Sequence, residues 1–262
     1  TVEVANEAFQ PLPQPGGVER VAAGRGPVAA NPIRARHAAL EVVVASAATP
    51  DRPEASAMVA LTVPPGGTRE RLVLKLPSVR AWSPDDPHLY RATARLVEDG
   101  RERHRESVRF GMRVFTVVGT DFLLNDERVF IKGAFWEGLY PSTLAHPRDP
   151  ETVRREIRLA KEAGFNLLRP WRMPPAPLIL DLADEMGMML VGSPAIACMG
   201  YWPAETPRLE HHWTRAMTEM VRRDRNHPSV VMWETTNEIV RKSMLVRRHR
   251  VGQLLAPHDP VP

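Results

Sequence analysis

The sequence is poor in the residues that several chemistries require. It has one cysteine, Cys198, so no intrachain disulfide framework can form. That thiol reads as a small buried hydrophobe rather than a nucleophile. There is no Gly-rich phosphate loop and no Gly-x-Ser-x-Gly elbow. Metal-ligand spacing is absent too. His211 and His212 are adjacent, so on a helix they point in different directions and cannot form a His-x-x-x-His pair. No metal and no cofactor are expected. The longest charge-free run, 186–204, is broken by Gly192, Pro194 and Gly200. It reads as a buried strand with its loop, not as a membrane helix.

A one-sided charge is also lacking. Lys and Arg number 35 against 31 Asp and Glu, for a net charge of +4, with both signs interspersed. The densest basic run, Arg247-Arg248-His249-Arg250, reads as a solvated helix face rather than a nucleic-acid surface. No signal peptide is visible, and residue 1 is Thr. The chain is therefore expected to be a fragment, which leaves the targeting of its parent open.

What is present divides in three. Residues 1–37 are rich in Pro, Gly and Ala and read as a linker or the tail of a preceding domain. Residues 38–117 carry short apolar runs at 40–45, 58–63, 72–76 and 89–97, separated by Pro, Gly and Asp. Tyr90, Ala92, Ala94 and Leu96 alternate with other residues in the period of a half-buried strand. This predicts a β-sandwich of immunoglobulin size, with another small β-domain as the alternative. Residues 122–133 then read as a hairpin whose polar four-residue turn, Asn125 to Arg128, joins two apolar strands.

From 118 onward the period switches. Asp149-Pro150 is an N-cap with proline at the first helical position. Val153, Ile157, Ala160 and Ala163 line one helix face, and Gly164 is a natural stop. A second helix is marked by Leu178, Leu182 and Met186, and a third by Leu209, Trp213, Met217, Met220 and Val221. Four strands are expected near 129–135, 165–170, 188–192 and 229–234, with a fourth helix near 240–256. Alternating strands and helices imply βαβ units and a parallel sheet. An eight-stranded barrel takes about 250 residues, and the stretch 118–262 is long enough for only about half of one.

The most informative stretch is 226–238. Asn226-His227-Pro228 makes a turn, and Ser229 to Trp233 is an apolar run buried on both faces. Asn237-Glu238 then follows. α/β barrels present catalytic groups at the C-terminal ends of such strands. The alternative is an ordinary polar loop.

Here the chain resembles glycoside hydrolase family 2, which includes β-galactosidases, β-glucuronidases, β-mannosidases and exo-β-glucosaminidases. Arg225 to Ser229, Trp233, Asn237 and Glu238 match that family's fourth barrel strand, with Thr236 where Gly or Asn is usual. Trp82-Ser83-Pro84-Asp85-Asp86-Pro87-His88-Leu89-Tyr90 is similar to a segment that crosses the face of its immunoglobulin-like domain. Phe110-Gly111-Met112-Arg113 resembles its Phe-Gly-Phe-Arg at the barrel entry. The resemblance implies a multidomain β plus α/β fold, an immunoglobulin-like β-sandwich followed by the first half of a (β/α)8 TIM barrel.

It also implies a retaining exo-β-glycosidase acting on a carbohydrate substrate, with no nucleic-acid or membrane partner. Glu238 would be the general acid/base, with Glu234 as the runner-up. Asn237 would contact the sugar 2-hydroxyl, and Arg169 would stand near the nucleophile or in a structural ion pair. Trp136, Trp171 and Trp202 lie just past strand ends, where indoles either stack on a pyranose or pack in the core. Lys132-Gly133-Ala134-Phe135-Trp136 resembles the β-mannosidase branch, except that Phe135 replaces its Asn. The β-galactosidase branch would show Asn-Arg-His after this Gly, which is absent. The family's nucleophile, at strand seven, is expected beyond Pro262, so the fragment alone is expected to be inactive. A non-catalytic carbohydrate-binding or scaffold relative is the second reading.

Overall fold

The structure is a computed structural model. It describes residues 35–64, 67–68, 70–136, 140–144, 147–170, 173–194, 208–238 and 250–254. Trp171, Cys198, Trp202, the expected linker and most of the expected fourth helix lie outside the described residues.

The chain divides into two compact units. One takes in residues up to Ala45, with Pro50–Pro77 and Ala92–Val108. It is built on β1 (Arg36–Ser46), β2 (Pro53–Val63), β3 (Tyr90–Glu98) and β4 (Arg101–Phe110), in the order β2-β1-β3-β4. Leu40 and Val42 of β1 bury against Leu61 and Val63 of β2, with Ala94 and Leu96 beside them. Leu72 and Leu74 pack on this core, but the expected strand at 72–76 does not join the ladder. The alternation is there without the pairing. Strand β4 had no apolar signal because nearly all of it is exposed. Asp99 and Gly100 both have positive φ, the two-residue turn that suits hairpins. Its row of charges also protects an edge strand from mispairing.

The second unit holds Ser46–Thr49, Ser78–Arg91 and Arg109 onward. Strands β5 (Phe115–Val118), β6 (Asp121–Leu124) and β7 (Glu127–Val129) form an antiparallel meander. The expected four-residue turn is shorter in fact. Asn125 and Asp126 alone turn the chain, both at positive φ, and Glu127 and Arg128 enter β7. Asn and Asp tolerate that conformation better than most residues.

A parallel sheet follows. Its strands β8 (Gly133–Trp136), β9 (Leu167–Pro170), β10 (Met189–Gly192) and β11 (Val230–Trp233) lie in chain order. Between them run α1 (Pro150–Glu162), α2 (Pro177–Met186) and α3 (Leu209–Asp224). The Asp149 carboxylate accepts from the Glu151 and Thr152 amides and so caps α1. Helix α2 stops at Gly187, which turns at φ 67.

One face of the sheet is covered by helices. Val153, Ile157, Ile179, Leu180 and Ala183 pack there on Leu168, Leu190 and Val230. On the other face Leu167, Met189 and Val231 meet Trp82, Leu89 and Leu124. The segment 82–90 therefore packs on this face of the parallel sheet, within the same compact unit. The fully buried Trp82 donates its indole N–H to the Asp184 carbonyl at 2.9 Å. The Asn125 amide donates to the Trp82 carbonyl, and Lys161 Nζ to that of Pro84.

Candidate active site

The site sits where β8 to β11 end. Strand parity decides which side chains reach it. Phe135 pairs in register with Arg169, and Trp136 with Pro170, so Phe135 and Arg169 share one face and Trp136 takes the other. Trp136 packs on the core under the helices. Its indole N–H donates to Glu156 of α1 at 2.7 Å, and Tyr140 O–H donates to the same oxygen. Burial and that carboxylate together push the Tyr140 phenol well above its usual range. Trp136 is thus not brought together with the other expected site residues. Phe135 is, half exposed and 5.9 Å from the Arg169 guanidinium carbon.

Arg169 is the hub. Its Nε and Nη2 donate to the two oxygens of Glu234, at 3.1 and 2.6 Å. Nη2 also donates to Asn237 Oδ1 at 2.5 Å. Ser193, directly after β10, adds a hydrogen bond to Glu234 Oε2 at 3.0 Å. The Glu234 carboxylate thus accepts three hydrogen bonds, two from Arg169 and one from Ser193. The ion pair that was the alternative for Arg169 is real, and the same cation also holds Asn237.

The loop after β11 is also fixed at two further points. Glu234 N–H donates to the Gly192 carbonyl at 2.9 Å, and the buried Trp213 of α3 donates to the Thr235 carbonyl at 2.9 Å. Asn237 is 5% exposed. Its Nδ2 has no hydrogen-bond partner among the described residues. Glu238 comes next, exposed and at φ 50. A glutamate in the left-handed region costs on the order of 1 kcal/mol, and such strain clusters at functional sites.

At the opposite end of β11, His227 and Pro228 are structural, as expected. His227 Nδ1 lies 2.6 Å from Asp184 Oδ2, and the Ser229 amide donates to Asp184 Oδ1 at 3.0 Å. Arg113 donates to the Pro228 and Val230 carbonyls. Among the described residues no cluster of His, Cys, Asp and Glu could hold a metal, and no helix is long and apolar enough to cross a membrane.

Phe135 and Ser193 were missed from sequence. Register with Arg169 would have found Phe135. Ser193 had no signal beyond following a strand.

Two family models match the chain. "Glycosyl hydrolases family 2" covers residues 34–113, and "Glycosyl hydrolases family 2, TIM barrel domain" covers 115–253. A protein named beta-galactosidase from Psychromonas ingrahamii is 31% identical over 66% of this chain and 17% of its own length. Another of that name, from Vibrio cholerae, is 31% identical over 71% of this chain and 18% of its own. The chain thus spans under a fifth of these curated relatives. Among solved structures, a glycosyl hydrolase family 2 member from Bacteroides cellulosilyticus superposes with a TM-score of 0.73 at 24% identity, over 87% of this chain and 30% of that one. A β-glucuronidase from Parabacteroides merdae gives 0.71 at 21% identity, over 86% and 28%.

Proposed function

The chain belongs to glycosyl hydrolases family 2, and we propose that it carries the acid/base side of a retaining exo-β-glycosidase site. In this reading β8 to β11 are the first half of an eight-stranded barrel. Residues 38–117 are the preceding immunoglobulin-like region, and the nucleophile belongs to a strand of the parent protein outside these residues.

The observation that carries the reading is Asn237-Glu238 at the end of a buried parallel strand, with the Asn237 amide oxygen held on Arg169. Retaining hydrolysis needs two carboxyl groups about 5–5.5 Å apart. Glu238 protonates the glycosidic oxygen as the bond to the anomeric carbon breaks. The second carboxylate attacks that carbon from the other side and forms a glycosyl ester. Glu238, now ionised, takes a proton from water, which displaces the ester and restores the acid. Asn237 binds the 2-hydroxyl, a contact that strengthens as the ring flattens toward the oxocarbenium-like transition state.

The substrate is a β-glycoside. Phe135 stands where the β-mannosidase pattern carries Asn, so in this reading the sugar edge facing β8 meets a ring instead of an amide.

The test is Glu238→Ala in the full-length parent protein. Turnover of aryl glycosides with activated leaving groups should survive far better than turnover of unactivated ones, which need the proton. Azide should restore activity with a β-glycosyl azide as product. Wild-type rates on unactivated substrates would remove Glu238 from this role.

A further inference from the structure

We infer that Glu234 is a positioning residue for the sugar-binding amide of Asn237, acting through Arg169; this rests on the glycosidase reading above. An asparagine amide is nearly two-fold about its last torsion, so packing alone does not decide whether its oxygen or its nitrogen faces the substrate. Here the decision is electrostatic. Glu234 holds the Arg169 guanidinium through two parallel hydrogen bonds, a geometry that fixes the plane of the fork. The shared Nη2 then points at Asn237 Oδ1. Reversing the amide would set its N–H groups against the guanidinium, donor against donor.

Asn237 is left with one free capability. Nδ2 is buried and unpartnered among the described residues, and it can only donate. The ligand group it meets must accept, as a hydroxyl oxygen does. Glu234 is itself held, through Ser193 Oγ and through its own amide on the Gly192 carbonyl. Its oxygens are engaged by Arg169 and Ser193, so Glu234 acts on the substrate only at second hand. Gln in its place keeps the volume but sets an amide N–H against the guanidinium, and the fork loses its anchor.

The experiment compares an aryl β-glycoside with its 2-deoxy counterpart in the full-length parent protein. The variants are Glu234→Gln, Arg169→Lys and Ser193→Ala. The wild type should prefer the 2-hydroxy substrate in kcat/KM. In Glu234→Gln that preference should shrink by about tenfold, the scale of one hydrogen bond, while kcat/KM for the 2-deoxy substrate changes little. Arg169→Lys keeps the charge but cannot span both partners, so it should shrink the preference as well. Ser193→Ala should move it in the same direction by less. A merely structural role would lower stability and both substrates together, leaving the preference intact, and that result overturns the inference. Should Glu234→Gln fail to fold, Arg169→Lys decides by the same ratio. The two readings fail separately. No turnover by the wild type, or full activity in Glu238→Ala, sinks the glycosidase reading. An unaltered 2-hydroxyl preference beside a crippled Glu238→Ala sinks only the role of Glu234.

Discussion

Gly111 lies against Pro228 so closely that a Cβ on residue 111 would stand 2.4 Å from Pro228 Cγ. Two stretches singled out for separate reasons, 110–113 and 226–229, thus interlock. Arg113 completes the contact by donating to the Pro228 and Val230 carbonyls. The entry to the α/β unit grips the start of the strand that delivers Asn237 and Glu238.

Gly111→Ala should therefore destabilise the protein by about 1–3 kcal/mol, the usual cost of overpacking. Denaturant titration of the full-length variant measures it. The proline ring is rigid and its carbonyl is held by Arg113, so little relief is available. A variant as stable as wild type would show that the two stretches can separate at no cost.

His227 gives the fold a pH dependence of known sign. Burial lowers its pKa, but the hydrogen bond it donates to Asp184 and the charges of Asp184, Asp181 and Asp224 outweigh burial, so the net shift is upward. A raised folded pKa means stability that is fully present below the ordinary value of about 6.5 and is lost as pH rises through the folded value. His227→Gln should cost on the order of 1 kcal/mol at pH 6 and less at pH 9. Equal losses at both pH values would mean that the imidazolium charge contributes nothing.

Phe135 should matter to substrate binding. Its ring is half exposed beside Arg169, on the face of β8 that carries the site. In the full-length enzyme, Phe135→Ala should weaken a monosaccharide inhibitor by roughly 1–2 kcal/mol, part of a large side chain's burial. Calorimetry gives the number. If the melting temperature falls while affinity holds, Phe135 packs in the core of the parent and does not touch sugar.

The parallel sheet was legible because β9, β10 and β11 are short, largely buried runs and α1 carries a plain cap, Asp149 with Pro150. Asn237 and Glu238 were legible through the resemblance of 226–238 to a known pattern. The rest depended on contacts that no local pattern encodes. Arg169 and Glu234 are 65 positions apart, and they meet only because β9 and β11 flank β10. Trp136 looked like a site residue because it is a tryptophan at a strand end. One step of parity turned it toward Glu156 and put Phe135 in its place. The segment 82–90 was legible through its resemblance to a known pattern, whereas no local pattern encodes the contact of the Trp82 indole with the Asp184 carbonyl.

That last contact also sets a timetable for synthesis. Trp82 leaves the ribosome 102 residues before Asp184, a gap of about 5–20 s at 5–20 residues per second. Throughout it the indole lacks its native acceptor, although Asn125 and Lys161, which hold the neighbouring backbone, emerge within that interval. Strands β1 and β2 can pair early, since they are close in sequence. The Trp82 indole must wait for its acceptor until α2 exists. A nascent chain in this state exposes a large apolar side chain on an unpaired segment, the kind of target that chaperones bind. The order in which the protein is made therefore differs from the order in which its parts can become stable.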